Sequence, residues 1–215
     1  MFVLGITGGI GCGKTTVANI LRAHGLEVLD ADKISHEVSQ KGGSAIDAII
    51  DEFGPEYINE DGSLNRKMMA DLVFNNSRAL DKLSLIIHEK VFAEMRKIRN
   101  KRKQAGAKAI AMDVPVPAKQ GFLDVSDQVW VVWSDLEIRL ERLEKRGMPK
   151  AEALDRISVQ LSKDEYLSLA DNVILNNSDI KALETKVNEL IKSEFHARGI
   201  RLSLGYPYLE SLENA

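Results

Sequence analysis

Residues Gly8-Gly9-Ile10-Gly11-Cys12-Gly13-Lys14-Thr15 fit G-x-x-x-x-G-K-[ST] without a mismatch, and no other stretch constrains the fold as tightly. A phosphate loop of this kind joins a buried strand to a helix, and both flanks agree. Phe2-Val3-Leu4-Gly5-Ile6-Thr7 is an apolar run suited to a parallel strand covered on both faces. Lys14 to His24 carries Val17, Ile20 and Leu21 at helical spacing. The chemistry asks for these residue types. Consecutive backbone N–H groups curl into a nest for phosphate oxygens, the glycines permit the curl, and the following helix adds its positive end. Lys14 can reach the β- and γ-phosphates, and the Thr15 hydroxyl can ligate Mg²⁺. The stretch points to a nucleoside triphosphate.

Composition excludes several alternatives. The 215 residues leave room for one α/β domain with insertions, or for two small domains. A net charge of −3 gives no reason to expect nucleic acid as a partner. The basic run from Arg96 to Lys103 closes a predicted helix, where cations complement the dipole and stay solvated. No stretch is apolar enough for a membrane span, and the chain opens directly into its first strand without a signal peptide. A single cysteine excludes an internal disulfide and suits a reducing compartment, so a cytoplasmic protein is expected. That cysteine, Cys12, lies inside the loop. It is read first as a small residue that fits, and second as an oxidation-sensitive thiol if Lys14 and the helix end lower its pKa.

Along the chain, Leu26 to Leu29 reads as a second strand ending at Asp30-Ala31-Asp32, before a helix from Lys33 to Ser39. Functional groups collect beyond the carboxyl ends of such strands. One of the two aspartates is expected to cap the helix, leaving the other as a base or metal partner. From Lys41 to Gly106 the pattern is helical: Ala45 to Phe53, Leu64 to Phe74 with a stripe of Leu64, Met68 and Leu72, and a long helix over Ser77 to Gln104. So much helix between two strands reads as an inserted subdomain for a second substrate, with Arg66 and His88 its polar residues to watch. Ala107 to Met112 is a third strand, ending in Asp113, an acid placed to hold Mg²⁺. The fourth, Gln128 to Trp133, runs into a predicted capping box at Ser134-Asp135-Leu136-Glu137. Arg139, Arg142 and Arg146 follow at spacings that put them on one helix face, either as a lid over phosphates or as salt-bridge partners of Glu141, Glu144 and Asp135. A helix beginning at Pro149, a strand over Ala170 to Leu175 and a helix over Asp179 to Phe195 complete the reading.

Beyond the loop, the ordered combination of several short motifs resembles the dephospho-coenzyme A kinase family over about residues 1 to 195. The motifs are Thr7-Gly8-Gly9-Ile10-Gly11, Asp30-Ala31-Asp32, Asp61-Gly62-Ser63-Leu64-Asn65-Arg66, Arg156-Ile157-x-x-Gln160 and Ala170-Asp171-x-Val173-Ile174-x-Asn176. The chain departs from the family pattern at Val116 to Lys119, at Glu89 after His88, and at Asp164 to Leu169. The resemblance implies an α/β P-loop fold with a five-stranded parallel sheet, an inserted helical subdomain and a helical lid. The expected division is residues 1–33, 107–134 and 170–198 as core, 34–106 as acceptor subdomain, 135–169 as lid and 199–215 as tail. It also implies ATP and Mg²⁺ as cofactors, and dephospho-coenzyme A as the acceptor phosphorylated on its ribose 3′-hydroxyl.

By the same resemblance, Asp32 is the catalytic base, assisted by Lys14 and Arg142. ATP is contacted by Gly9, Gly11, Cys12, Gly13, Lys14, Thr15, Thr16, Arg139, Arg146 and Asn176. The acceptor is contacted by Thr7, Asp32, Arg66, His88 and Pro115, and the metal by Thr15, Asp30 and Asp113. A monomer is expected, with oligomerisation left open. Two other readings stay open on sequence alone: another small P-loop kinase acting on a nucleoside or nucleotide, and a nucleotide-dependent switch without catalysis.

Overall fold

The computed structural model describes residues 1–74 and 76–202, so most of the tail that begins at Gly199 lies outside the described residues. The chain divides into two units, Asp30–Arg102 and the remainder, Met1–Leu29 with the described residues from Lys103 onward.

The larger unit is built on a five-stranded parallel sheet with strand order β2-β3-β1-β4-β5. The strands are β1 Phe2–Thr7, β2 Val28–Asp30, β3 Ala109–Asp113, β4 Gln128–Trp133 and β5 Asn172–Leu175. Every residue of β1 is buried, as expected for a central strand covered on both faces. Its register sets Ile6 beside Asp113 of β3 and Thr7 beside Val131 of β4. The core on one side includes Phe195, whose ring meets Phe2 and Trp130 edge to face at 5.2 and 6.0 Å.

Helix α1 (Lys14–Ala23) starts directly from the phosphate loop and buries Val17, Ala18, Ile20 and Leu21. It closes with a Schellman motif: Leu26 N–H donates to Leu21 C=O and Gly25 N–H to Arg22 C=O. That cap uses Leu26, which was expected to open the second strand, so β2 starts two residues later, at Val28.

After β4, α6 (Leu136–Lys145) and α7 (Lys150–Ser158) pack through Leu140, Leu143 and Ala153, with Ile10, Met148 and Ile157 against them. The expected capping box at Ser134 does not form. The N-cap is Asp135, without a side-chain cap bond, because Ser134 is fully buried and bonded elsewhere. A capping box forms instead at Ser162 and Glu165, where it starts the short helix α8 (Lys163–Ser168), absent from the sequence reading. Pro149 is the N-cap of α7 and does not occupy its first turn. The expected last helix stops as α9 (Ile180–Leu190), and Ile191–Phe195 winds on as a wider turn.

The smaller unit is helical: α2 (Ala31–Val38), α3 (Ile46–Phe53), α4 (Arg66–Phe74) and α5 (Ser77–Gln104), the last running past its boundary. Helix α2 begins two residues earlier than expected, so Asp32 lies in its first turn. Helix α4 begins two residues later than expected. Leu64 is drawn into a bridge with Ile58, and the Asn65 side chain accepts from Met68 N–H. Its inward residue is Met69, while Met68 is 42% exposed, which moves the apolar stripe by one position. Along α5, Val91 and Met95 are buried as the stripe requires, but Leu80 is 47% exposed and Ala79 turns inward in its place.

Candidate active site

The phosphate loop shows which donors it offers. Cys12 N–H is taken by Gly9 C=O at 3.1 Å, and Ile10 N–H by the Gln160 side chain at 2.8 Å. The N–H groups of Gly11, Gly13, Lys14 and Thr15 meet no acceptor among the described residues. These four flank the start of α1, which makes the concavity an anion seat. Two glycines are obligatory there. Gly11 and Gly13 sit at φ 80° and 92°, and a Cβ on Gly13 would lie 2.2 Å from Asn176 Nδ2.

Lys14 Nζ donates to a carboxylate oxygen of Asp113, which is 2% exposed at the end of β3. Strand register explains the pairing: β3 lies beside β1, so its last residue arrives under the loop that β1 feeds. The Thr15 side chain is exposed at the lip, and Thr16 is half-buried behind it.

On the opposite side of the loop, three residues from three segments interlock. Asn176 Nδ2 donates to Cys12 C=O at 2.9 Å, and the Ser134 hydroxyl donates to Asn176 C=O at 2.6 Å. Arg142 donates to Ser134 Oγ and to Asn176 C=O, both at 3.0 Å, and burial lowers its pKa from the ordinary arginine value. Arg139 is only 4% exposed. Its Nε donates to Ile10 C=O at 2.8 Å and its guanidinium lies 4.9 Å from the centre of the Trp133 ring. Arg146 caps the end of α6 and is exposed. The shared helix face thus becomes three environments: buried, half-buried and open.

Beside the loop lies a cleft of about 320 Å³, within the range of small-molecule sites. It is lined by Gly13, Thr16, Arg142, Arg146 and Asn176, together with Lys145, Ser178, Ile180 and Leu183. The last four were not singled out from sequence. Ile180 and Leu183 lie in the helix expected over Asp179 to Phe195, where nothing local marks a ligand.

Cys12 departs from the reading that made it oxidation-sensitive. Its side chain is fully buried, and burial raises its thiol pKa against the smaller opposing effect of Arg139 and Arg142. Its side chain is withdrawn from any ligand, and its N–H and C=O are already taken by Gly9 and Asn176, contrary to its expected ATP contact. Thr7 is equally buried, and its hydroxyl finds no hydrogen-bond partner among the described residues. Pro115 is half-buried, and its carbonyl accepts from the Tyr166 hydroxyl at 3.2 Å. The Tyr166 ring in turn stands 5.7 Å from that of Trp133.

In the helical unit, Asp30 is the capping aspartate: its side chain accepts from Lys33 N–H at 3.0 Å. Asp32 is exposed on the first turn of the same helix. Arg66 is exposed, and donates to Ser39 Oγ at 2.7 Å. His88 is exposed on α5, its ring 6.4 Å from that of Phe92. Among the described residues no group of three or more His, Cys, Asp or Glu side chains gathers as a metal site, and no helix is long and apolar enough to cross a membrane.

The model of the dephospho-CoA kinase family matches residues 2–182, most of the chain. The chain belongs to the dephospho-CoA kinase family. Its relatives include the dephospho-CoA kinases of Bacillus licheniformis, 37% identical over 190 residues (88% of this chain and 94% of the relative), and of Nitrosospira multiformis, 39% identical over 194 residues (89% and 96%). Among solved structures, the Thermus thermophilus protein TT1252 has a TM-score of 0.73 at 27% identity, covering 90% of this chain and 97% of its own. The Campylobacter jejuni dephospho-CoA kinase, at 22% identity and covering 91% and 98%, shares the fold with a TM-score of 0.69. Family membership accounts for the combination of phosphate loop, five-stranded sheet and helical insertion.

Proposed function

We propose that this dephospho-CoA kinase family member transfers the ATP γ-phosphoryl group to the ribose 3′-hydroxyl of dephospho-CoA, the last step of coenzyme A biosynthesis. The observation that supports it most is the family match over residues 2–182, joined to the four unpartnered N–H groups at the start of α1. In this reading Gly11, Gly13, Lys14 and Thr15 hold the phosphates through their N–H groups. The nucleobase enters the cleft between Arg146 and Ile180, and Arg142, already fixed by Ser134 and Asn176, neutralises charge on the transferring group. Phosphate oxygens compete with Asp113 for the Lys14 ammonium. The segment 135–169 serves as the lid.

Asp32 takes the proton. The acceptor oxygen forms a bond to the γ-phosphorus as the bridge to the β-phosphate breaks; the hydroxyl proton passes to the Asp32 carboxylate, and ADP leaves. Asp30 already accepts the capping bond from Lys33 N–H, and Asp32, exposed in the first turn of α2, is the aspartate assigned to the proton. Arg66 and His88 in the helical unit, and Thr7 and Pro115 in the sheet unit, are the residues assigned to the acceptor.

The donor set suits Mg²⁺. This ion keeps most of its waters and takes only one or two protein ligands beside substrate phosphates, so a preformed cluster of acids is not required. Thr15 Oγ1 and the Asp113 carboxylate are the groups that would hold it, with Asp30 as a further candidate. Bound there with ATP, it would lower the charge on the transferring phosphoryl group.

The test is a panel of acceptors incubated with ATP and Mg²⁺, with products resolved by mass and by separation of 3′- from 2′-phosphorylated standards. The expected product is coenzyme A from dephospho-CoA alone. Preferential phosphorylation of a nucleoside or nucleotide would replace this reading with the second kinase reading, and ATP binding without transfer to any acceptor would favour the switch.

A further inference from the structure

Ile10, at the crest of the phosphate loop, is held on three sides. Its N–H donates to Gln160 Oε1 at 2.8 Å, and its C=O accepts from Arg139 Nε at 2.8 Å. Its side chain packs against the cluster of Leu140, Leu143 and Ala153 that joins α6 to α7. The two clamping groups also touch, Arg139 Nη2 lying 3.4 Å from Gln160 Oε1. Arg139 is fixed from behind by the Trp133 ring. Both groups close tightly over Gly9: a Cβ there would lie 2.8 Å from Arg139 Nη2 and 3.2 Å from Gln160 Oε1, so it would displace them.

From this geometry we propose that Arg139 and Gln160 are positioning residues that clamp the loop crest. By occupying both polar groups of the Ile10 peptide they withdraw its N–H from the ligand and set the curvature of the nest, which then presents only the N–H groups of Gly11, Gly13, Lys14 and Thr15. Arg139 acts on ATP through the backbone of Ile10. Its charge is not the operative feature. Gln160, 150 residues away in sequence, couples the end of α7 to the loop, so movement of the α6–α7 pair moves the phosphate seat with it.

The inference rests on the loop being the ATP seat, and it is read by ATP binding, which does not depend on which acceptor the enzyme uses. ATP affinity and, in the full assay, kcat and KM for each substrate are measured for Arg139→Lys, Arg139→Gln, Gln160→Ala and Gln160→Glu, with thermal midpoints alongside. Gln at 139 is neutral but keeps an N–H donor for the Ile10 carbonyl. Lys keeps the charge without the planar fork. The clamp predicts that Arg139→Gln, which keeps a donor without the charge, retains most ATP affinity. It also predicts that Gln160→Ala loses about fivefold to tenfold, the worth of one hydrogen bond, with KM for the acceptor unmoved and with partial rescue in Gln160→Glu. Rescue by Lys and failure of Gln at 139 would assign Arg139 to direct charge pairing with phosphate and overturn the clamp. Wild-type ATP affinity in all four variants would overturn it equally. If the Arg139 variants prove too unstable to assay, the Gln160 pair decides: Ala weakening ATP without lowering the midpoint supports positioning, and equal losses in affinity and midpoint for Ala and Glu refute it.

Discussion

The surroundings of the phosphate loop and those of Arg66 in the helical unit are built in opposite ways. Around the loop, Ser134, Arg139, Arg142, Gln160 and Asn176 converge from segments far from the loop in sequence, and each of these side chains bonds to the loop backbone or to another member of the group. In the helical unit Asp32, Arg66 and His88 are exposed and their supports are few: Arg66 has Ser39, and His88 has the neighbouring ring of Phe92 on its own helix. A seat buried in cross-element hydrogen bonds is preorganised, so removing one member disturbs the others. Exposed side chains on a helical surface can be removed singly and leave their unit intact.

The sharpest way to break that contrast lies in the first turn of α2. Asn caps a helix about as well as Asp but cannot accept a proton. Asp30→Asn is therefore expected to keep stability and most activity, and Asp32→Asn to lose about 10²–10⁴-fold in kcat with ATP binding retained. Steady-state kinetics and an ATP titration of the two variants check this. A dead Asp30→Asn beside an active Asp32→Asn would reverse the roles.

Next in size is Lys14→Ala. Loss of its proposed contact to the transferring phosphoryl group should cost roughly 3–4 kcal/mol, a few hundredfold in rate. Stability should fall as well, because the buried Asp113 carboxylate loses its ammonium partner. Adding Asp113→Asn to that variant should recover stability and leave activity lost, measured by denaturant unfolding and turnover side by side. In the helical unit, Arg66→Ala should raise KM for the acceptor about tenfold, the worth of a charged hydrogen bond. KM for ATP and the thermal midpoint should stay unmoved.

The smallest effect concerns Cys12. Its raised thiol pKa leaves less thiolate at neutral pH than a free cysteine has, and burial blocks access. Alkylation of the folded protein, followed by mass, should be slower than for a free thiol, and should reach completion only on unfolding.

What was legible in the sequence follows from how local each signal is. The strand–loop–helix unit, the 28-residue helix Ser77–Gln104 and the fourth strand were readable within their own residues, through spacing and periodicity. So was the capping role of one aspartate after β2. The family resemblance added the sheet and the order of the site motifs. What sequence missed is long-range. Nothing near Ser134 says that its hydroxyl turns to Asn176, 42 residues on, and not to its own helix. Gln160 was visible only as part of a motif, and Arg139, Arg142 and Arg146 looked equivalent because helical spacing puts them on one face. Trp133 and Ile10 decide which of them is buried, and neither contact leaves a local trace.

The contrast between the two regions is tested most directly by calorimetric titration of ATP, in Mg²⁺ buffer and without acceptor, into the wild-type protein, Lys14→Ala and Arg66→Ala. A nucleotide seat built wholly within the sheet unit predicts that Arg66→Ala binds ATP as the wild type does, while Lys14→Ala binds more weakly by about tenfold or more, as for loss of a charge-assisted contact. Equal weakening in both variants, or unaltered binding in Lys14→Ala, would contradict it.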